Sequence, residues 1–126
     1  MVVMDLELRG QSVDRVCLDS ALTLFTSGDV EMRIETDATL MGADGIHVRF
    51  DPESPGPVAG RIVELLHSVI STASYSDAGV LSMSFEGGEE LTAPPHDEYE
   101  AWGVVYPDGR RIVCVPDGEV AIWGPI

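Results

Sequence analysis

"LTLFTSGDVEMRIE", residues 22–35, decides the fold. Val30, Met32 and Ile34 fall on one side and Glu31, Arg33 and Glu35 on the other, the two-residue period of a strand with one face on a core. The "TSGD" at 26–29 brings glycine for the positive φ of a tight connection, so the stretch reads as an antiparallel hairpin. "VLSMSF" repeats the alternation with Leu81, Met83 and Phe85 against Ser82 and Ser84. "IHVRFD" repeats it with Ile46, Val48 and Phe50 inward and His47 and Arg49 outward. Further turns stand at "SDAG" (76–79), "EGGE" (86–89), "YPDGR" (106–110) and "VPDGE" (115–119).

A register of 59 residues superposes two hairpins, matching Leu22 with Leu81, Leu24 with Met83, Gly28 with Gly87 and Met32 with Leu91. Such alternation around a glycine also arises by chance in β proteins. A real repeat implies two similar three-strand meanders facing each other, 12–18, 21–26 and 30–36 against 68–75, 80–85 and 89–92. Between them, Val58, Ile62, Leu65, Leu66 and Val69 recur at three and four, which predicts one short helix near 57–67 packed on the sheet. "WGVVY", "RRIVCV" and "EVAIW" make a third meander, in which Trp102 and Trp123 are expected to pack on the core. The fold class is therefore mainly β (α+β): antiparallel meanders of about eight or nine short strands in a sandwich, a roll or a partly open barrel. One domain over 1–126 is the expectation for this length.

Twenty-two acidic residues oppose seven basic ones, a formal net charge of −15. That field disfavours nucleic acid and anionic membrane as partners and favours a basic protein or a cation. It also opposes self-association through sheet edges, so a monomer or small homo-oligomer is expected. The start, "MVVMDLELRG", has acids within seven residues and no long apolar run, which points to a soluble, cytoplasmic protein. Cys17 and Cys114 lie in apolar runs without metal or redox spacing and read as buried reduced thiols. All seven basic residues are arginine, and lysine and asparagine are missing, a skew that a GC-rich genome explains.

No motif of a hydrolase elbow, zinc protease, paired C-x-x-C or phosphate loop occurs, so no catalytic residue and no cofactor is assigned. The densest chemistry is "HDEYEAW", residues 96–102. One reading makes Asp97, Glu98, Tyr99, Glu100 and Trp102 a partner-binding surface, with an aromatic hot spot rimmed by acids. The alternative is a divalent-cation or small-molecule site, with hydrolysis as its extreme form. In that reading His96, Glu98 and Glu100 share one face of a strand as ligands, with Asp97 beside them.

"YEAWGVVYPDGRRIVCVPDGEVAIW" (99–123), following "GVLSMSFEGGEELTAPP" (79–95), resembles the C-terminal half of a family of small uncharacterised actinobacterial proteins, a domain of unknown function. The carrying elements are Tyr-Glu-Ala-Trp at 99–102, Val-Cys-x-Pro at 113–116 and Trp123. "LRGQSVDRVCLDSALTLFTSGDVEMRIE" (8–35) resembles that family's opening strand pair, while 37–66 carries no such pattern. The resemblance implies no activity. In size and charge alone the chain is similar to immunity proteins that neutralise bacterial toxins. The expected function is thus a non-enzymatic, acidic protein-interaction domain, an immunity or regulatory protein.

Overall fold

The computed structural model describes residues 2–124; residues 1, 125 and 126 of the expected domain lie outside the described residues. The first half of the chain runs through β1 (Val3–Asp5), β2 (Val13–Leu18), β3 (Leu22–Thr26), β4 (Glu31–Ile34), β5 (Ala38–Met41) and β6 (His47–Phe50). A 3-10 turn, Gly56–Val58, leads into α1 (Ala59–Val63). The second half adds β7 (Ile70–Ser76), β8 (Leu81–Phe85), β9 (Glu90–Ala93), β10 (Trp102–Val105), β11 (Arg111–Cys114) and β12 (Val120–Trp123).

The strands form two six-stranded sheets, β1-β7-β8-β9-β5-β6 and β12-β11-β10-β4-β3-β2, antiparallel throughout. They pack face to face without closing, so the sandwich is the form adopted among the three expected. The meander β2-β3-β4 recurs as β7-β8-β9: Leu24 opposite Met32 becomes Met83 opposite Leu91. Both meanders carry a bulge at the same place, between Val13 and Arg15 and between Ile70 and Thr72. The following hairpins also correspond, Ala38 opposite Phe50 becoming Trp102 opposite Cys114. The hairpins are exchanged, however: β5-β6 extends β9, and β10-β11 extends β4. Each sheet therefore joins the meander of one half to the hairpin of the other.

Alternation decides which side chains meet. Leu22, Leu24, Met32 and Ile34 from one sheet and Leu81, Met83, Phe85 and Leu91 from the other are buried in one continuous core. Each such burial contributes about 1.5–3 kcal/mol. The described residues hold twelve strands rather than about eight or nine, and β1 and β5 are two that escape the sequence pattern. β1 has three residues, and β5 carries Met41 on its outer face, which blurs the alternation.

Three placements correct the sequence reading. The helical segment is shorter than 57–67: α1 ends at Val63 and the chain turns, reaching φ +72° at His67. Ile62 and Leu65 are buried as expected, but Leu66 is exposed. Ile46 is exposed because β6 begins after it and its carbonyl closes a turn with Gly42 N–H at 3.1 Å. Trp123 is 49% exposed, on the outer face of an edge strand, and does not pack on the core. Both cysteines are free; Cys114 is buried, its thiol pushed up by burial, and Cys17 is half-buried.

The flanks of the sandwich differ. Between β2 and β6 the helical segment packs on both edge strands and lowers Ile62 and Leu65 into the gap. On the other flank β1 and β12 run side by side, one at the edge of each sheet. At one end of this flank Asp77 N–H donates to Val2 O at 3.1 Å, and the neighbouring Gly79 packs on Gly118 so tightly that a Cβ there would lie 2.5 Å from the Gly118 carbonyl oxygen. At the other end the Tyr106 hydroxyl donates to Leu6 O at 2.7 Å. No helix among the described residues is long and apolar enough to cross a membrane.

Candidate functional site

Of the links that carry the chain between the sheets, two meet: 35–37 from β4 to β5 and 94–101 from β9 to β10. They lie at the same end of the sandwich, since Glu35 N–H donates to Ala101 O at 2.8 Å. The second link is the longer, and its prolines, Pro94 and Pro95, remove the donors a strand would need. It folds on itself instead. The His96 ring stacks on Tyr99, with centroids 3.7 Å apart and planes at 20°. Glu98 N–H donates to His96 Nδ1 at 3.0 Å, and the His96 carbonyl accepts from Asp117 N–H at 3.0 Å.

This geometry separates the predicted residues. Asp97, Glu98, Tyr99 and Glu100 are exposed, and Tyr99 keeps 45% of its surface in water. Trp102 is 1% exposed and is not a surface contact. As the first residue of β10 it points inward, its ring 5.6 Å from Tyr75 and its indole N–H donating to Gly79 O at 2.9 Å. Strand parity is the reason, since one position along the strand exchanges the faces. The cation set His96, Glu98 and Glu100 does not assemble either: 94–101 is no strand, and His96 Nδ1 already accepts a backbone hydrogen bond. Among the described residues no group of three or more His, Cys, Asp or Glu is arranged to hold a metal ion. His47 lies on β6 and His67 beyond the helix, apart from His96.

What surrounds Tyr99 comes from the other half of the chain. Its hydroxyl is pushed above its ordinary value, first by desolvation and then by the carboxylates of Asp37, Asp51, Glu53 and Glu98. Tyr99, Glu35, Glu53, Glu100 and Ser20 line an open concavity of about 700 Å³. A smaller hollow of about 220 Å³ lies over Gly103, which leaves the outer face of its sheet without a side chain; Arg33, Arg111 and Glu100 stand on its rim. Asp37 is bridged by Arg49 at 3.3 Å, and Glu35 by Arg33 at 3.3 Å. Among the described residues, Asp51, Glu53, Asp97, Glu98 and Glu100 have no ion-pair partner. Sequence reading missed Asp37, Asp51 and Glu53; the only signal for them was their position just past the ends of apolar strands.

The family described as "Family of unknown function (DUF6188)" matches residues 4–124. No curated protein and no solved structure matches the chain. The match agrees with an uncharacterised domain extending over nearly the whole chain.

Proposed function

We propose that this chain, which belongs to that family of unknown function, is a non-enzymatic interaction domain whose acidic end binds a basic protein, as a toxin-neutralising immunity factor or a regulatory partner. One observation carries the reading: Tyr99, an exposed aromatic, stands among Asp51, Glu53, Asp97, Glu98 and Glu100, none ion-paired among the described residues. Uncompensated carboxylates raise the potential toward a cationic partner, speed encounter and reject acidic competitors. An aromatic at the centre of such a patch supplies the area that becomes a hot spot once desolvated. The His96 stack holds the Tyr99 ring in one orientation before binding, which lowers the ordering cost. The unpaired thiols support a reducing, cytoplasmic setting.

Co-purification from the native host at low and high salt tests this. A basic protein should be retained at low salt, released at high salt, and lost with Tyr99→Ala or with Glu53→Gln and Glu98→Gln together. A chain that emerges alone at both salt concentrations, or a partner indifferent to these substitutions, sinks the proposal.

A further inference from the structure

The geometry points to a second copy of this chain as the occupant of the β1/β12 flank, joined β12 to β12 across a two-fold axis so that one sheet of each copy runs on into the other. Of the four edge strands among the described residues, three carry the charges that ordinarily block such pairing. β2 has Asp14 and Arg15 beside its bulge, β6 has His47 and Arg49, and the three-residue β1 ends in Asp5. β12 reads Val-Ala-Ile-Trp, with no charge, proline or bulge.

The apolar surface is concentrated at the same place. Val120 and Ile122 share the inward face with Ile112 and Cys114, their partners on β11, and Met4 does so opposite Tyr75 on β7. Nevertheless Ile122 is 61% exposed, Met4 38% and the neighbouring Val2 57%, because no element among the described residues covers this flank. With Val3 and Trp123 they make five of the nine large apolar side chains exposed among the described residues. Val2, Met4 and Ile122 face the gap between the sheets, whereas Val3 and Trp123 lie on the outer faces of β1 and β12.

Charge and symmetry select a second copy over another protein. An antiparallel mate centred on Ala121 sets Val120 opposite Ile122 on the inner face and Glu119 opposite Trp123 on the outer. Arg111 is the partner of Trp123 on β11, with its guanidinium 6.0 Å from the indole centroid. Glu119 of each copy therefore enters the cross-strand row that holds Arg111 of the other, two strands away at ~10 Å between backbones, where the two long side chains can reach toward each other over Trp123. The isologous contact is self-complementary and closes at two copies. The unpaired acids around Tyr99 stand in the 94–101 link and just past β6, away from β12, which itself carries no charge.

Sedimentation velocity of the full-length chain across low to high micromolar concentration tests the proposal, with circular dichroism reporting the fold. The wild-type chain should pass from monomer to a species of twice the mass. Ile122→Asp, at a position already facing water, should remain monomeric with an unchanged spectrum. Glu119→Arg should weaken association at least tenfold, and adding Arg111→Glu should restore it. A wild-type chain monomeric at every concentration overturns the proposal, as does a dimer that survives Ile122→Asp. Should that variant lose its fold, the charge pair decides alone: failure of Arg111→Glu to rescue Glu119→Arg overturns the β12 pairing.

Discussion

After its hairpin, each half of the chain descends one flank of the sandwich, and the halves do so differently. Beyond β6 the chain becomes a short helix that drops Ile62 and Leu65 into the gap between β6 and β2, where both are buried. Beyond β11 it becomes β12, which continues the sheet and leaves Ile122, an inward-facing residue, mostly in water. A helix at a sandwich flank fills the space between the sheets; a strand merely moves the open edge outward by one position. Similar hairpins thus end in one sealed flank and one unsealed flank.

Substitutions can break or sharpen this contrast. The largest effect is expected at Ile62→Ala, which leaves a cavity inside the seal and should cost about 2–5 kcal/mol in urea unfolding. Ile122→Ala, on the open flank, should stay within about 0.5 kcal/mol in dilute solution. Equal losses at the two isoleucines would abolish the distinction. Next comes Gly79→Ala, at φ +85° and against the Gly118 backbone, where one end of the open flank is tied. The left-handed backbone and the clash together should cost about 2–4 kcal/mol. Gly109→Ala, at φ +93° but facing open space, isolates the backbone part of that loss.

Trp102→Phe keeps an aromatic in the core but removes the donor to Gly79 O, and should cost about 1–3 kcal/mol by thermal or urea unfolding. The smallest effect concerns pH, at the other tie of the open flank. Desolvation raises Tyr106 above its ordinary 10.0, against the lowering influence of Arg110, so the fold favours the protonated phenol. Its contribution is complete below pH 10.0 and is lost as pH rises through the raised value in the fold. Melts from neutral to strongly alkaline pH should show that decline in the wild-type chain and a shallower one in Tyr106→Phe.

The meanders were legible because alternation and turn chemistry are local: Val30, Met32 and Ile34, and Leu81, Met83 and Phe85, lie inward as their spacing says. The exchange of hairpins was not, since alternation fixes which face of a strand is buried but not which strand it pairs with. The same limit explains the site. The exposed acids Asp97, Glu98 and Glu100 could be read in place, whereas Asp37, Asp51 and Glu53 reach Tyr99 only through a link in the other half. Trp102, two positions past Glu100, looked like part of the same surface until the start of β10 turned it inward.

The exchanged hairpins also bear on how the chain is made. β4 finds its second neighbour only when Trp102 can lie opposite Ile34, and β5 its second only when Thr92 reaches Thr39. On the ribosome the first meander emerges early with β4 as a bare edge, and most of the chain must follow before that edge is covered. Long-range pairing of this kind slows folding and prolongs the exposure of unfinished sheet. A gene split between the two halves should yield fragments that are unstable apart and fold together when co-expressed.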